Sequence, residues 1–248
     1  MSDLSGFASL RTALSRIAKS MSPTRQLTIT VLIGSILSLA VALLLVGFEP
    51  GPLGLSLLGY VIAAALSVNS IRKDFPHSLL GSGNLVTVAR MAMVFALLAP
   101  LLSYASPLVF VVIAVLILIL DGFDGFLARK EERTSSFGAR FDMEIDSALG
   151  LILAVNVVIS GNLGAWILLL GLPRYLFIVA AKLWTWLNRP LPNRLSRKVV
   201  AMVQMGTLIG LNSALFPIWF ELLAAIAMAS ALIWSFGRDV LWSWRAGQ

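Results

Sequence analysis

The sequence predicts an all-α integral membrane protein, and three observations carry that prediction. Of 248 residues, 58% are hydrophobic and only 12% are charged, against about 25% charged in an ordinary soluble domain. A chain so poor in charge cannot cover a water-facing surface. Its apolar runs also reach the roughly 20 residues that a helix needs to cross a hydrocarbon core of about 30 Å. Finally, Lys and Arg are segregated along the chain. Eight spans are predicted near 28–47, 52–69, 85–104, 107–128, 140–160, 164–186, 198–214 and 217–237. The turns near 48–51, 105–106, 161–163 and 215–216 hold no Lys or Arg, whereas the alternate links and both ends do. By the positive-inside rule this predicts a multi-pass protein of the cell (inner) membrane with both termini cytoplasmic. The formal charge of +7 is thereby assigned to membrane orientation, and no nucleic-acid partner is expected.

Residues 1–26 carry Leu4, Phe7, Leu10, Leu14 and Ile17 at helical spacing, with Arg11, Arg16 and Lys19 between them. That pattern suits an interfacial amphipathic helix, and equally a tail that only touches the surface. It lacks the early apolar core and small-residue cleavage site of a signal peptide. Residues 27–83 read as an accessory two-helix hairpin, because its two spans carry no charged residue inside them. His77, the only histidine, stands in the link after the second span and reads as a solvated loop residue. With one histidine and no cysteine, a His-rich or thiolate metal site is not expected.

The chemistry lies in residues 84–248. The fourth span is apolar from Pro107 to Leu120 and then reads Asp121-Gly122-Phe123-Asp124-Gly125-Phe126-Leu127-Ala128-Arg129. Fourteen apolar residues rise about 21 Å, which puts Asp121 inside the membrane zone, where a carboxylate normally faces a cavity or partner. Asp121 and Asp124 are i and i+3, and in the next span Asp142 and Asp146 are i and i+4. Each pair therefore shares a helical face, while Glu144 points elsewhere as a bystander. Four carboxylates on two adjacent helices repel one another unless a cation joins them. An all-oxygen donor set favours Mg²⁺ or Mn²⁺, and two such ions suit displacement at phosphorus. Gly125 and Ala128 keep the helix face shallow, and Arg129 offers a fork for phosphate. Small residues alone would signify only close helix packing.

Asp121, Asp124, Gly125, Ala128, Arg129, Gly138, Asp142 and Asp146 together resemble the CDP-alcohol phosphotransferase signature, D-x2-D-G-x2-A-R-x8-G-x3-D-x3-D. Asn84-Leu85-Val86-Thr87-Val88-Ala89-Arg90 is similar to the N-x-x-T-x-x-R start of that family's first core helix. The resemblance covers about residues 84–248 and implies a six-helix core, here preceded by two extra transmembrane helices and the N-terminal segment. It implies a membrane enzyme that moves a phosphatidyl or similar group from a CDP-linked lipid donor to an alcohol acceptor and releases CMP. Asp121, Asp124, Asp142 and Asp146 would hold two divalent cations, Mg²⁺ or Mn²⁺, and Asp146 would also be the general base. Asn84, Leu85, Val86, Thr87, Gly125, Ala128, Arg129, Ser135 and Gly138 would form the nucleotide side of the site. A homodimer with a cytoplasmic active site is implied as well.

The acceptor is less sharply written. Relatives that use glycerol phosphate often read D-P-x-x-D-K, whereas Asp142-Met143-Glu144-Ile145-Asp146-Ser147 lacks the proline and the lysine. That departure argues against glycerol phosphate without excluding it. Arg140, Arg174, Arg197 and Lys198 are candidates to hold an anionic or phosphorylated acceptor, although Arg197 and Lys198 read equally as cytoplasmic anchors. Of the Lys and Arg residues, only Arg174, with Lys182, is read as sitting well inside a span, and Arg174 follows Pro173. The competing reading, a divalent-cation transporter, would spread carboxylates along a pathway instead of gathering them at one depth.

Overall fold

A computed structural model describes residues 22–74, 81–130, 136–161, 163–188 and 194–245, apart from the side chains at 72–74, 82, 124–130, 136, 185 and 188. Every regular element among them is helical: α1 (Pro23–Val46), α2 (Pro50–Asp74), α3 (Ser82–Ala96), α4 (Pro107–Lys130), α5 (Ser136–Ile159), α6 (Leu168–Gly171), α7 (Pro173–Leu183), α8 (Leu195–Leu211) and α9 (Ile218–Arg245), with three short 3₁₀ turns. Residues 1–21, which hold most of the predicted amphipathic segment, and His77 lie outside the described residues.

A helix stands at each of the eight predicted spans. By length and hydropathy alone, four can cross a bilayer: Pro23–Val46, Pro50–Ile71, Gly83–Leu101 and Ile218–Arg245. The others fall short for physical reasons. The apolar part of α4 ends at Phe123, α5 carries Arg140, Asp142, Glu144 and Asp146 in its first half, and α8 has 17 residues. The span predicted over 164–186 is broken. Ala165–Gly171 and Pro173–Leu183 meet at 74°, because Pro173 cannot donate to the helix ladder and its ring clashes with the preceding turn.

The described residues form two compact units, Met1–Ala96 with Leu116–Ile145, and Leu97–Val115 with Asp146–Gln248. In the first, α1 and α2 form a hairpin that packs on α3. Pro23 opens α1, and the Ser22 Oγ accepts from the Arg25 N–H at 3.3 Å, a cap for an otherwise orphaned donor. Gly47 closes it at φ +74°, with its N–H on the Leu43 carbonyl. The seam of the hairpin is Tyr60, fully buried, whose hydroxyl donates to the Val31 carbonyl at 2.8 Å. Opposite it, Gly34 leaves no room for a side chain. A Cβ there would overlap the Tyr60 Oη and stand 3.3 Å from Val88 Cγ1 of α3.

In the second unit, side-chain amides bond main-chain carbonyls of neighbouring elements. Asn156 donates to the Leu97 carbonyl at 3.2 Å, and Asn212 to that of Leu153 at 3.1 Å. Gln204 of α8 donates to the Leu170 carbonyl, just before the break at Leu172. In lipid an unsatisfied carbonyl costs several kcal/mol, so such side chains are what make a broken span tolerable. Gly171 belongs to the same joint, since a Cβ there would lie 2.8 Å from both the Ala154 Cβ and the Gly150 carbonyl oxygen.

Candidate active site

The site is built on α3, α4 and α5. In the first turns of α3, Asn84 and Thr87 are buried, and the Thr87 hydroxyl donates to the Gly83 carbonyl at 3.1 Å. Leu85 is exposed and Val86 half-buried, as alternation around a helix dictates. One turn further on, Arg90 has no exposed surface at all. Its Nη1 lies 2.8 Å from Asp121 Oδ1 of α4 and 2.6 Å from Asp142 Oδ1 of α5. A single guanidinium nitrogen thus joins carboxylates from two helices. Both aspartates keep more than a third of their side-chain surface accessible, 38% and 37%, so the buried guanidinium lies beneath two carboxylates that can still be approached from outside.

Asp146 is the next residue on the same face of α5, one turn beyond Asp142 and on the same unbroken helix. Asp121, Asp142 and Asp146 can each offer an oxygen within 4.8 Å of the other two. This gathering at one point agrees with a shared cation and not with a path of spaced carboxylates. Glu144 is exposed and stands outside the group, as its i+2 offset from Asp142 requires. The donor chemistry fits a hard divalent cation. It is all oxygen, it carries up to three negative charges against the one positive charge of Arg90, and none of its three members is fully buried. The side chains of Asp124, Gly125, Ala128 and Arg129 lie outside the described residues, although the helical backbone of α4 runs through them. Ser135 lies outside them entirely. Gly138 is half-buried in the first turn of α5, and Arg140 is exposed.

Two features escaped the sequence reading. Arg90 was seen only as the last letter of a motif, yet it is a fully buried charge inside a span, a placement that itself signals function. Asp239 was not singled out. In the second unit it is 4% exposed and pairs with Arg197, Nε to Oδ2 at 3.0 Å, and with Arg194 at 3.5 Å. Arg197 therefore has a protein carboxylate of its own, while Lys198 is exposed. The Arg238 guanidinium reaches the Ser196 hydroxyl and lies 4.6 Å over the Trp234 ring. Arg174 is half-buried in the first turn of α7, immediately after the break, and Lys182 is exposed in its last turn.

Comparison with known proteins agrees with this geometry. The sequence profile of the CDP-alcohol phosphatidyltransferase family matches residues 81–236. Among curated proteins the chain is similar to the CDP-diacylglycerol–glycerol-3-phosphate 3-phosphatidyltransferase of Escherichia coli (strain K12), 25% identical over 164 residues, which are 65% of this chain and 76% of the relative. It is similarly related to the enzymes of that name from Salmonella choleraesuis (strain SC-B67), 25% identical over 66% of this chain and 80% of the relative, and Shigella flexneri serotype 5b (strain 8401), 24% identical over 63% and 74%. No solved structure matches the chain.

Proposed function

The chain belongs to the CDP-alcohol phosphatidyltransferase family, a family of phosphatidyl-transferring enzymes, and from that premise we propose that it makes a phospholipid from CDP-diacylglycerol and an acceptor that itself carries phosphate. The observation that carries the reading is the convergence of Asp121, Asp142 and Asp146 over the buried Arg90. The four sequence-predicted aspartates, Asp124 included, are the proposed ligands of two Mg²⁺ or Mn²⁺ ions. When bound, those ions would neutralise the donor's diphosphate and its leaving group.

The protein's own part in the reaction is positional and acid–base. Arg90 holds Asp121 and Asp142 from two helices in one register. Asp146 takes the proton of the acceptor hydroxyl. The acceptor oxygen then bonds to the phosphorus of the phosphatidyl group, the bond from that phosphorus to the bridging oxygen breaks, and CMP leaves with the electron pair. Asn84, Thr87, Gly125, Arg129 and Ser135 are the proposed nucleotide contacts, and Arg140 and Arg174 the proposed acceptor contacts. Arg197 and Lys198 move to a supporting place in this reading, since Asp239 already engages Arg197. The names of the related enzymes favour a glycerol phosphate acceptor despite the missing D-P-x-x-D-K residues. The distribution of Lys and Arg supports a cytoplasmic active site, and the homodimer remains part of the proposal on the family resemblance.

The test is a lipid-product assay on purified protein with CDP-diacylglycerol and separate acceptors: glycerol 3-phosphate, inositol phosphate, inositol, serine and phosphatidylglycerol. We expect CMP release with a phosphorylated acceptor, loss of turnover in excess chelator, and restoration by Mg²⁺ or Mn²⁺. Arg174→Gln in the same assay should raise the acceptor KM far more than the donor KM. Full turnover in chelator would refute the two-ion reading, and turnover with serine or inositol alone would refute the phosphorylated acceptor.

A further inference from the structure

A largely apolar pocket lies in the second unit between α8 and α9. It is a cavity of about 370 Å³ lined by Val203, Thr207, Gly210, Phe216 and Phe220 among others, and by Glu221. Glu221 is 4% exposed. Its backbone N–H is bonded to the Pro217 carbonyl, but its carboxyl makes no hydrogen bond or ion pair among the described residues. The carboxyl borders the cavity, where a group of complementary charge would satisfy it.

The surroundings define that ligand's chemistry. The only other polar side chain on the wall is Thr207, whose hydroxyl donates to the Val203 carbonyl at 2.9 Å. Its lone pairs remain able to accept. The rings of Phe216 and Phe220, 5.0 Å apart, both line the cavity, and an aromatic wall is one that attracts a positive charge. Among the described residues that line the cavity none is Lys or Arg, and residues 212–217, which lead into α9, contain neither. A single carboxyl cannot chelate a divalent metal, and an anion would be repelled. One carboxyl, one hydroxyl acceptor and two aromatic rings describe a site for an organic ammonium.

Its position names the source. Glu221 precedes Asp239 by eighteen residues on α9, or about 27 Å, close to the thickness of a bilayer core. The cavity and the Arg194–Arg197–Asp239 cluster therefore sit at opposite membrane interfaces. Around the cavity Phe216, Trp219 and Phe220 are exposed, as interfacial aromatic residues are. We propose that this pocket binds the ammonium headgroup of a phospholipid from the leaflet opposite the Arg194–Arg197–Asp239 cluster. The inference does not depend on the proposed reaction.

The experiment measures lipid retention by native mass spectrometry on the full chain in detergent. The probes are an ethanolamine-headed phospholipid and a glycerol-headed one with the same acyl chains. We expect about a tenfold preference for the ethanolamine lipid, the scale of a desolvated cation–π and charge contact. Glu221→Gln should abolish the preference, and Phe216→Leu should reduce it while leaving the carboxyl in place. Soluble ethanolamine phosphate at millimolar concentration should not displace the lipid. The proposal is overturned if the wild-type protein shows no preference, or if folded Glu221→Gln keeps it. It is also overturned if the soluble amine competes fully, since the occupant would then not be a lipid. If Glu221→Gln fails to fold, the Phe216→Leu result decides the matter by the same criterion.

Discussion

At the scale of single residues the site depends on Arg90. Its guanidinium is fully buried while the two carboxylates it joins remain partly open. Removing it would leave two like charges facing each other with nothing beneath them. Arg90→Leu should therefore cost about 3 kcal/mol of stability, the lower end for a broken buried pair because water still reaches the aspartates. It should also abolish turnover. Arg90→Lys should recover stability better than activity, since an ammonium keeps the charge but not the planar fork. Thermal melts beside turnover measurements check both, and a fully active Arg90→Leu would remove the arginine from the site. With Asp146 as the proposed base, Asp146→Asn should lose turnover while still binding the CDP donor, because removing a base harms chemistry more than positioning. Calorimetric titration of donor on this variant, with turnover near wild type as the contrary result, tests it. The aspartates were legible in the sequence because i, i+3 and i, i+4 spacings are local properties of a helix. The Arg90 bridge was not, since 52 residues separate it from Asp142 and only packing brings them together.

At the scale of elements, helix positions were legible from apolar runs and their joints were not. Pro173 within the sixth predicted span was the visible sign of a break, but its sharpness depends on Gly171 and Gln204, which lie far apart in sequence. The hairpin is similar. Composition makes α1 and α2 look detachable, because neither carries a charge inside its span. In the folded chain they pack on α3, and Gly34 is the point where all three helices meet. Gly34→Ala would push a methyl group into the Tyr60 hydroxyl and should destabilise the protein by about 1–3 kcal/mol, the usual cost of overpacking. Tyr60→Phe loses the bond to Val31 and relieves the clash only in part, so the double variant should be more stable than the sum of the two single losses implies. Melting temperatures of the three variants give the coupling, and strictly additive losses would show that the seam is not tight.

For the whole molecule, charge distribution is the property that sets orientation. The chain contains no cysteine, so single cysteines can be introduced without a background. Ser106→Cys lies at a turn free of Lys and Arg, and Leu195→Cys lies beside Arg194 and Arg197; both positions are exposed. A membrane-impermeant maleimide should label the first in intact cells and the second only after lysis. The reverse pattern would turn the proposed topology over.

The packing of the hairpin on α3 also has a consequence for biosynthesis. An arginine near the middle of a lone helix makes insertion into the bilayer unfavourable by about 2.5–3.5 kcal/mol, and α3 carries Arg90 well before either of its aspartate partners has been translated. α1 and α2, whose predicted spans hold no charge, leave the ribosome before α3 and enter lipid without such a penalty. They are then already in place as a protein surface for α3, which can be held beside them until α4 and α5 bring the carboxylates that neutralise its charge. Helices whose spans hold no charge would thus give the helix of Arg90 a place to wait.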